Sequence, residues 1–273
     1  MAQGIEKVVY VYNRYVTDAA GLKNTLAKYG VAIIPRVLGP KECDAMVKGM
    51  WDTLKHITSN FEVPISRDNK DTWKSLYQLL PLHSMLIQHW GIGHAQYIWD
   101  IRQNPKVLEI WKTLWNTDKL LVSYDGISCH LPPEITGRGW LTKPGGWLHT
   151  DQSYSRNDFE CVQSWITGND VMAGDATLMV LEGSHKYHAE CAETFPEAAE
   201  SKGDWYRIND DQRSFYTDKG CKPICVKCPR GSMVFWDSRT IHCGQEPLRP
   251  SASEERNIQS IRCIVYLCYT PRE

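Results

Sequence analysis

The chain has 273 residues, 42% hydrophobic and 23% charged, with 31 basic against 32 acidic side chains and a formal net charge of −1. That length suffices for one sizeable domain with its own core, and a near-zero charge argues against a general binder of nucleic-acid phosphates, which would be basic. No apolar run approaches a membrane span, Met1-Ala2-Gln3-Gly4-Ile5 carries no secretory pattern and Pro271-Arg272-Glu273 is no peroxisomal address, so a soluble cytoplasmic protein is expected.

A short strand-like run at 8–12 opens the chain, and Asp18 is placed to cap a helix over 19–29 that Gly30 stops. A strand follows at 31–35. Pro40 suits the first turn of the next helix, where Cys43, Met46, Val47, Met50, Trp51 and Leu54 recur at three- and four-residue spacing. Residues 59–73 are polar and read as a loop, and 84–101 reads as helical although Gly91 and Gly93 interrupt it. Asn104-Pro105 caps and begins a helix to about Leu114. Residues 1–118 are therefore expected to be mainly a helical flank of a single domain, 1–273.

From 119 onward the pattern changes to short strands with turn signals: 120–130, 147–151, 161–167, 177–181, 223–227, 232–236 and 259–269. Such a series indicates a sandwich or barrel. Two connections are long, 131–146 and a polar, partly helical insert at 185–220. Beside a rigid β-scaffold such segments form entrances to sites. The ten cysteines do not imply a disulfide framework, because a chain of this size needs no staples and Cys129, Cys161, Cys263 and Cys268 sit in apolar runs.

Within 145–152, His149 and Asp151 are two residues apart in a strand-like run, so they share one face. An imidazole and a carboxylate side by side are two ligands of a 2-His-1-carboxylate facial triad, the arrangement of open non-haem Fe(II) sites. A third ligand is available downstream, where an apolar strand after Gly231 leads to His242. A β-rich run with Arg262 near its start comes after it.

This order, H-x-D, a distant histidine, then an arginine on the last strand, resembles the phytanoyl-CoA dioxygenase-like (PhyH) family of Fe(II)/2-oxoglutarate dioxygenases. Residues 29–38, the segment Ser123-Tyr124-Asp125-Gly126, and the turn Leu181-Glu182-Gly183-Ser184-His185-Lys186 resemble further family segments, and the likeness covers about 20–270. It implies a double-stranded β-helix (jelly-roll, cupin-like) core with flanking N-terminal helices, an α+β, mainly β class. It also implies Fe(II) on His149, Asp151 and His242, with 2-oxoglutarate and O₂ as co-substrates and hydroxylation of a small-molecule C–H bond as the usual outcome. Aspartate at 151, rather than a small residue, argues against a halogenating relative.

The resemblance further implies that Arg262 holds 2-oxoglutarate and that Trp165 lies near it, although Arg249 and Arg256 also follow His242. Bidentate pairing suits a guanidinium to this task. Gly244 stands where some relatives carry a serine touching the co-substrate. His185 reads as a turn residue, and His130 and His188 as polar or solvent-facing. Substrate contacts are expected from Arg138, Trp140 and Lys143 in the first long loop, and from Ser128 and His130 on the strand before it. Cys221, Cys225 and Cys228 form the rival metal pattern, but no second close pair follows as a zinc site would favour. A non-catalytic binding protein that kept the fold and a zinc hydrolase are the other functional readings.

Overall fold

The structure, a computed structural model, describes residues 8–249 and 258–272. In chain order, β1 (Val9–Val11) precedes α1 (Leu22–Tyr29), β2 (Val31–Ile34), α2 (Pro40–Ile57), β3 (Leu86–Ile87), α3 (Gln96–Arg102) and α4 (Pro105–Trp115). Next come β4 (Leu120–Val122), β5 (Ile127–His130), α5 (Pro133–Thr136), β6 (His149–Thr150), β7 (Val162–Thr167) and β8 (Thr177–Leu181). The insert carries α6 (His188–Thr194), α7 (Pro196–Ala199), β9 (Tyr206–Arg207) and α8 (Asp210–Asp218). The chain then runs through β10 (Pro223–Val226), β11 (Met233–Asp237), β12 (His242–Gln245), β13 (Arg262–Leu267) and β14 (Tyr269–Pro271).

Two six-stranded sheets, β1-β10-β8-β12-β6-β9 and β2-β11-β7-β13-β5-β3, form the double-stranded β-helix. Val31, Ile33, Val234, Trp165 and Ile264 from the second sheet meet Leu178, Val180, Ile224 and Val226 from the first in the interior. The alternate residues of the second sheet, Ala32, Ile34, Phe235, Ile166 and Val265, pack with Met46, Met50, Ile98 and Trp111 of the helices. Both faces of β2 and β11 are thus covered, which is why these strands read as unbroken apolar runs. On the far side of the first sheet, Met179, Leu181 and Cys243 are covered by Cys191, Ala198 and Tyr216 of the insert.

Local chemistry accounts for several boundaries. Gly30 ends α1 at φ 78° with its N–H on the Leu26 carbonyl, and the Asn104 side chain caps α4 through the Lys106 N–H at 3.0 Å. Asp18 does not cap α1: its carboxylate accepts from Gly21 N–H, and the helix starts at Leu22. Residues 84–101 are not one helix. They hold β3, a 3₁₀ turn at Ile92–His94 and α3, because Gly91 takes a left-handed conformation at φ 63°. The loop at 59–73 runs into a 3₁₀ helix at Lys70–Leu79. The expected strand at 120–130 breaks at 123–126, where a Cβ on Gly126 would lie 2.1 Å from the Ile87 carbonyl oxygen. β4 turns away to pair with β14, while β5 stays between β3 and β13. Nothing in the local pattern signalled β9, which pairs with β6 and ties the insert to the short strand carrying His149.

Candidate metal centre

β6 is two residues long and lies between β12 and β9, with His149 directly opposite both His242 and Arg207. Its direction is set from below: the Thr150 hydroxyl and the Asp151 N–H both donate to the Ser238 carbonyl, at 2.9 and 3.1 Å. The turn supplying that carbonyl is held by Arg239, which donates to both oxygens of buried Asp237 at 2.9 and 2.7 Å. Asp151 Oδ2 thereby lies 3.6 Å from His149 Nε2 and 3.3 Å from His242 Nε2. These three donor atoms are within 4.8 Å of one another, and they form the one such group of His, Cys, Asp or Glu found among the described residues.

The tautomers suit metal ligation. His149 Nδ1 faces the Trp147 carbonyl at 3.0 Å and His242 Nδ1 faces the Thr240 carbonyl at 2.9 Å. A carbonyl can only accept, so each Nδ1 carries the proton and each Nε2 presents a lone pair. Gln163 donates from Nε2 to Asp151 Oδ2 at 2.8 Å, and Trp236 donates its indole N–H to His242 Nε2 at 3.1 Å. Burial, reinforced by neighbouring His242, lowers the pKa of His149 below its ordinary value. Burial opposes the charge on Asp151, and the pull of the two histidines that holds its carboxyl well below the usual carboxylate range belongs to their Nε2-protonated forms. Metal on Nε2 would take the place of that proton, giving the carboxylate and neutral imidazoles that metal binding requires.

The three donors border a cavity of about 320 Å³ that also reaches Arg262, Trp165 and Tyr266. Arg262 and Tyr266 alternate with Ile264 on the inner face of β13, as strand periodicity requires. Arg262 is 5% exposed; its Nε donates to Ser128 Oγ at 2.7 Å and its Nη1 to the Ala176 carbonyl at 2.9 Å. Its guanidinium lies 5.6 Å from the Trp165 ring centre. Burial pulls its pKa down, Tyr266 and, more weakly, Asp175 offset part of that shift, and no carboxylate lies within ion-pair distance of it among the described residues. The Trp165 indole N–H is buried without a hydrogen-bond partner among the described residues. A buried cation and a buried donor left open beside one cavity are the complement of an anion.

The family model for phytanoyl-CoA dioxygenase (PhyH) matches residues 26–246. The chain belongs to the phytanoyl-CoA dioxygenase family. The matched segment contains His149, Asp151 and His242 but ends before Arg262, whose place in the site comes from the pairing of β13 with β5 and β7. The Ava biosynthesis cluster protein O of Aspergillus versicolor is 26% identical over 222 residues, covering 78% of this chain and 68% of that protein. In fold, the chain is similar to HygX of Streptomyces hygroscopicus, solved with nickel and 2-oxoglutarate bound, at 12% identity and TM-score 0.55, over 91% of this chain and 85% of that one. It is also similar to the GlcNAc Inducible Gene 2 protein of Candida albicans, at 14% identity and TM-score 0.60, over 96% of this chain and 65% of that one.

In this family member the wall of the cavity differs from sequence expectation. Arg138, Trp140 and Lys143 do not border it. Arg138 stacks on Tyr77 at 4.0 Å, Trp140 faces Arg249 at 5.2 Å and Lys143 is exposed. Their segment runs along the outside, tied by Leu141 N–H to the Pro247 carbonyl and by Gly145 N–H to Gln245. Ser128 does not reach the cavity either, because its hydroxyl faces Arg262. His130 is 1% exposed and bonded to the Gly139 carbonyl, and burial lowers its pKa to about 4. His188 is equally buried, at 1%, stacked on Tyr154. His185 sits in its turn, facing the Ala27 carbonyl, while neighbouring Ser184 accepts from the Ile241 N–H and steadies the approach to His242.

The actual wall comes from three places. The segment 82–88 supplies Leu82, His83 and Gln88, the break before β5 supplies Asp125, and the insert supplies Trp205. His83 stacks on Trp147 at 3.6 Å, and Trp147 stacks on His149 at 4.9 Å. A Cβ on Gly244 would lie 3.2 Å from both Trp147 and Met85, so glycine there accompanies the broad indole above it. Gln163 was legible in principle: it alternates with Trp165 on β7 and so shares its inner face. No local signal marks His83 or Trp205, since each arrives from a distant loop. Cys225 packs in the outer cluster with Cys243, whereas Cys228 lies in the sandwich interior, so the rival thiols do not converge. Arg256 lies outside the described residues.

Proposed function

We propose that this chain is an Fe(II)- and 2-oxoglutarate-dependent oxygenase that hydroxylates a C–H bond of a small or medium-sized organic substrate. One observation carries the reading: a cavity bordered by three metal-type donor atoms within 4.8 Å of one another and by a buried arginine that has no carboxylate within ion-pair distance among the described residues. His149 and His242 through Nε2, and Asp151 through Oδ2, would hold the iron on one face and leave positions for a 2-oxo acid and O₂. Bound there, the metal would supply activation of O₂ coupled to decarboxylation of 2-oxoglutarate to succinate and CO₂. The 2-oxoglutarate found with HygX supports assigning the same co-substrate here.

Arg262 meets the distal carboxylate of that co-substrate, with the open Trp165 N–H as a second donor. Ser128 and the Ala176 carbonyl fix the guanidinium fork so that little is reorganised on binding. Gln163 holds Asp151 Oδ2 in place, and the His83–Trp147 stack covers His149 from water. The partner is a small molecule rather than a nucleic acid or a membrane; no helix among the described residues is long and apolar enough to cross one. We assign a single domain in a reducing, cytoplasmic setting, where the ten cysteines, Cys161 and Cys268 with sulfurs 3.8 Å apart among them, would stay as thiols.

The deciding experiment is anaerobic titration with Fe(II) and 2-oxoglutarate, followed by a succinate assay in air. A visible metal-to-ligand charge-transfer band is expected. Folded protein that develops no band and releases no succinate refutes the reading, and product analysis separates hydroxylation from other oxidative outcomes.

A further inference from the structure

Among the described residues, three charged side chains besides histidines border the cavity: Asp151, Arg262 and Asp125. The oxygenase reading uses the first two for the metal and the co-substrate and leaves Asp125 as the one unspent charge, so any substrate assignment built on Asp125 rests on that reading. Asp125 lies in the break between β4 and β5, where Gly126 is pressed against β3. One of its carboxylate oxygens accepts from the Ser123 hydroxyl, and the other has no donor among the described residues. The cation nearby, Arg102, gives Nη1 to the Gly93 carbonyl at 2.8 Å and Nη2 to the main-chain carbonyl of Asp125 at 2.9 Å. Its guanidinium stacks on Trp99 and Tyr124, and the Asp125 carboxylate acts on it through space from beyond ion-pair distance. Arg207, beside the mouth, turns to the Gly146 carbonyl and does not border the cavity.

The remaining wall is aromatic. Trp147 lies parallel to His83, with ring planes 1° apart, and Trp205 stands 5.6 Å from His149. Trp205 is 54% exposed and Leu82 50% exposed, so the mouth presents large apolar surface. At about 320 Å³ the cavity is at the small end of ligand sites, which run from roughly 300 to 1,000 Å³. With a co-substrate inside, it admits one ring system and a short arm.

We propose that the substrate of this site is a flat aromatic or heteroaromatic compound carrying a protonated amine, its ring against Trp205 and the Trp147–His83 stack and its ammonium on Asp125. Aromatic faces accept both another ring and a cation, and the half-buried carboxylate supplies a charge-assisted hydrogen bond. A polyanionic coenzyme A ester, by contrast, would bring phosphates to a mouth whose unspent charge is negative.

The test compares tryptamine, 3-ethylindole and indole-3-propionate, which share a ring and differ in charge. Binding is measured by calorimetry on metal-free protein and by perturbation of the visible band in the anaerobic Fe(II)–2-oxoglutarate complex. Tryptamine should bind at least about tenfold tighter than the neutral probe, the gain expected of one charge-assisted hydrogen bond, and indole-3-propionate should bind weakest. Asp125→Asn should erase the preference, and Trp205→Ala should weaken all three probes alike. Equal or tighter binding of indole-3-propionate, a preference that survives in Asp125→Asn, or no binding by any probe overturns the proposal. Should Asp125→Asn fail to fold, the ranking of the three probes on the wild type decides the sign of the charge. Loss of the visible band with the tryptamine preference intact would sink the oxygenase reading and leave the substrate class standing.

Discussion

Arg262→Leu separates binding from stability in a way that few changes at this site could. The guanidinium is 5% exposed and donates to Ser128 Oγ and the Ala176 carbonyl, with no carboxylate within ion-pair distance among the described residues. Leucine would leave that hydroxyl and carbonyl unsatisfied, at about 1–3 kcal/mol each. It would also remove a buried charge whose desolvation costs several kcal/mol. These contributions oppose one another, so the melting temperature of the apo protein should move little, and in either direction. Co-substrate binding has no such cancellation, because the distal carboxylate of 2-oxoglutarate would enter the same dry site without its partner. Removing one side of a buried charge pair costs about 2–5 kcal/mol, which raises the apparent KM for 2-oxoglutarate by one to several orders of magnitude. Succinate release measured against 2-oxoglutarate concentration gives that value, and thermal unfolding gives the other. Ser128→Ala removes only the support on Nε, so an increase of about tenfold or less is expected. Arg249→Leu, at a side chain stacked on Trp140 away from the cavity, should do little. A KM in Arg262→Leu within twofold of the wild type would refute the assignment, and a larger effect from Arg256→Leu would move the co-substrate contact to a different arginine.

Other outcomes follow from the same geometry. His149→Ala, Asp151→Ala and His242→Ala should each abolish substrate-stimulated succinate formation while the fold persists, since the core clusters lie elsewhere; turnover at the wild-type rate in any one would strike it from the ligand set. Gln163→Leu removes the 2.8 Å bond to Asp151 and should weaken Fe(II) binding by about 10–100-fold, the usual range for a partner of a ligand, as read by titration with the metal. Stability should fall on acidification, because burial lowers the pKa of His130 and of His188 to about 4. Both groups bind protons more weakly folded than unfolded, so their contribution is complete above the ordinary histidine pKa of 6.5 and is lost as pH falls from there toward 4. Lowering a pKa by one pH unit corresponds to about 1.4 kcal/mol. His188→Asn should flatten the dependence of melting temperature on pH across that window, and an unchanged slope would count against the buried neutral imidazole.

How much of this was legible beforehand depends on how local the physics is. Periodicity alone placed α2, β7, β8 and β11, because a helix stripe or a doubly covered strand writes its burial into consecutive residues. The same alternation put His149 and Asp151 on one face and Arg262 with Tyr266 on the inner side of β13, and a distant histidine completed the set. Position along the chain does not say which loop crosses which strand end. The strand at 120–130 breaks because Gly126 lies against the Ile87 carbonyl, a contact between segments far apart in the chain. Arg138, Trp140 and Lys143 had suitable chemistry, but their segment is tied to 245–247 and runs outside the cavity. His83, Asp125 and Trp205 reach it instead, through β3, the break before β5 and the pairing of β9 with β6. Sequence by itself therefore determined which candidate donors share a face and the strands that bring them there, since residue type and strand parity are local properties. Only the tertiary structure decided the wall around them, because a wall is assembled from long-range pairings whose partners leave no mark on one another's local pattern.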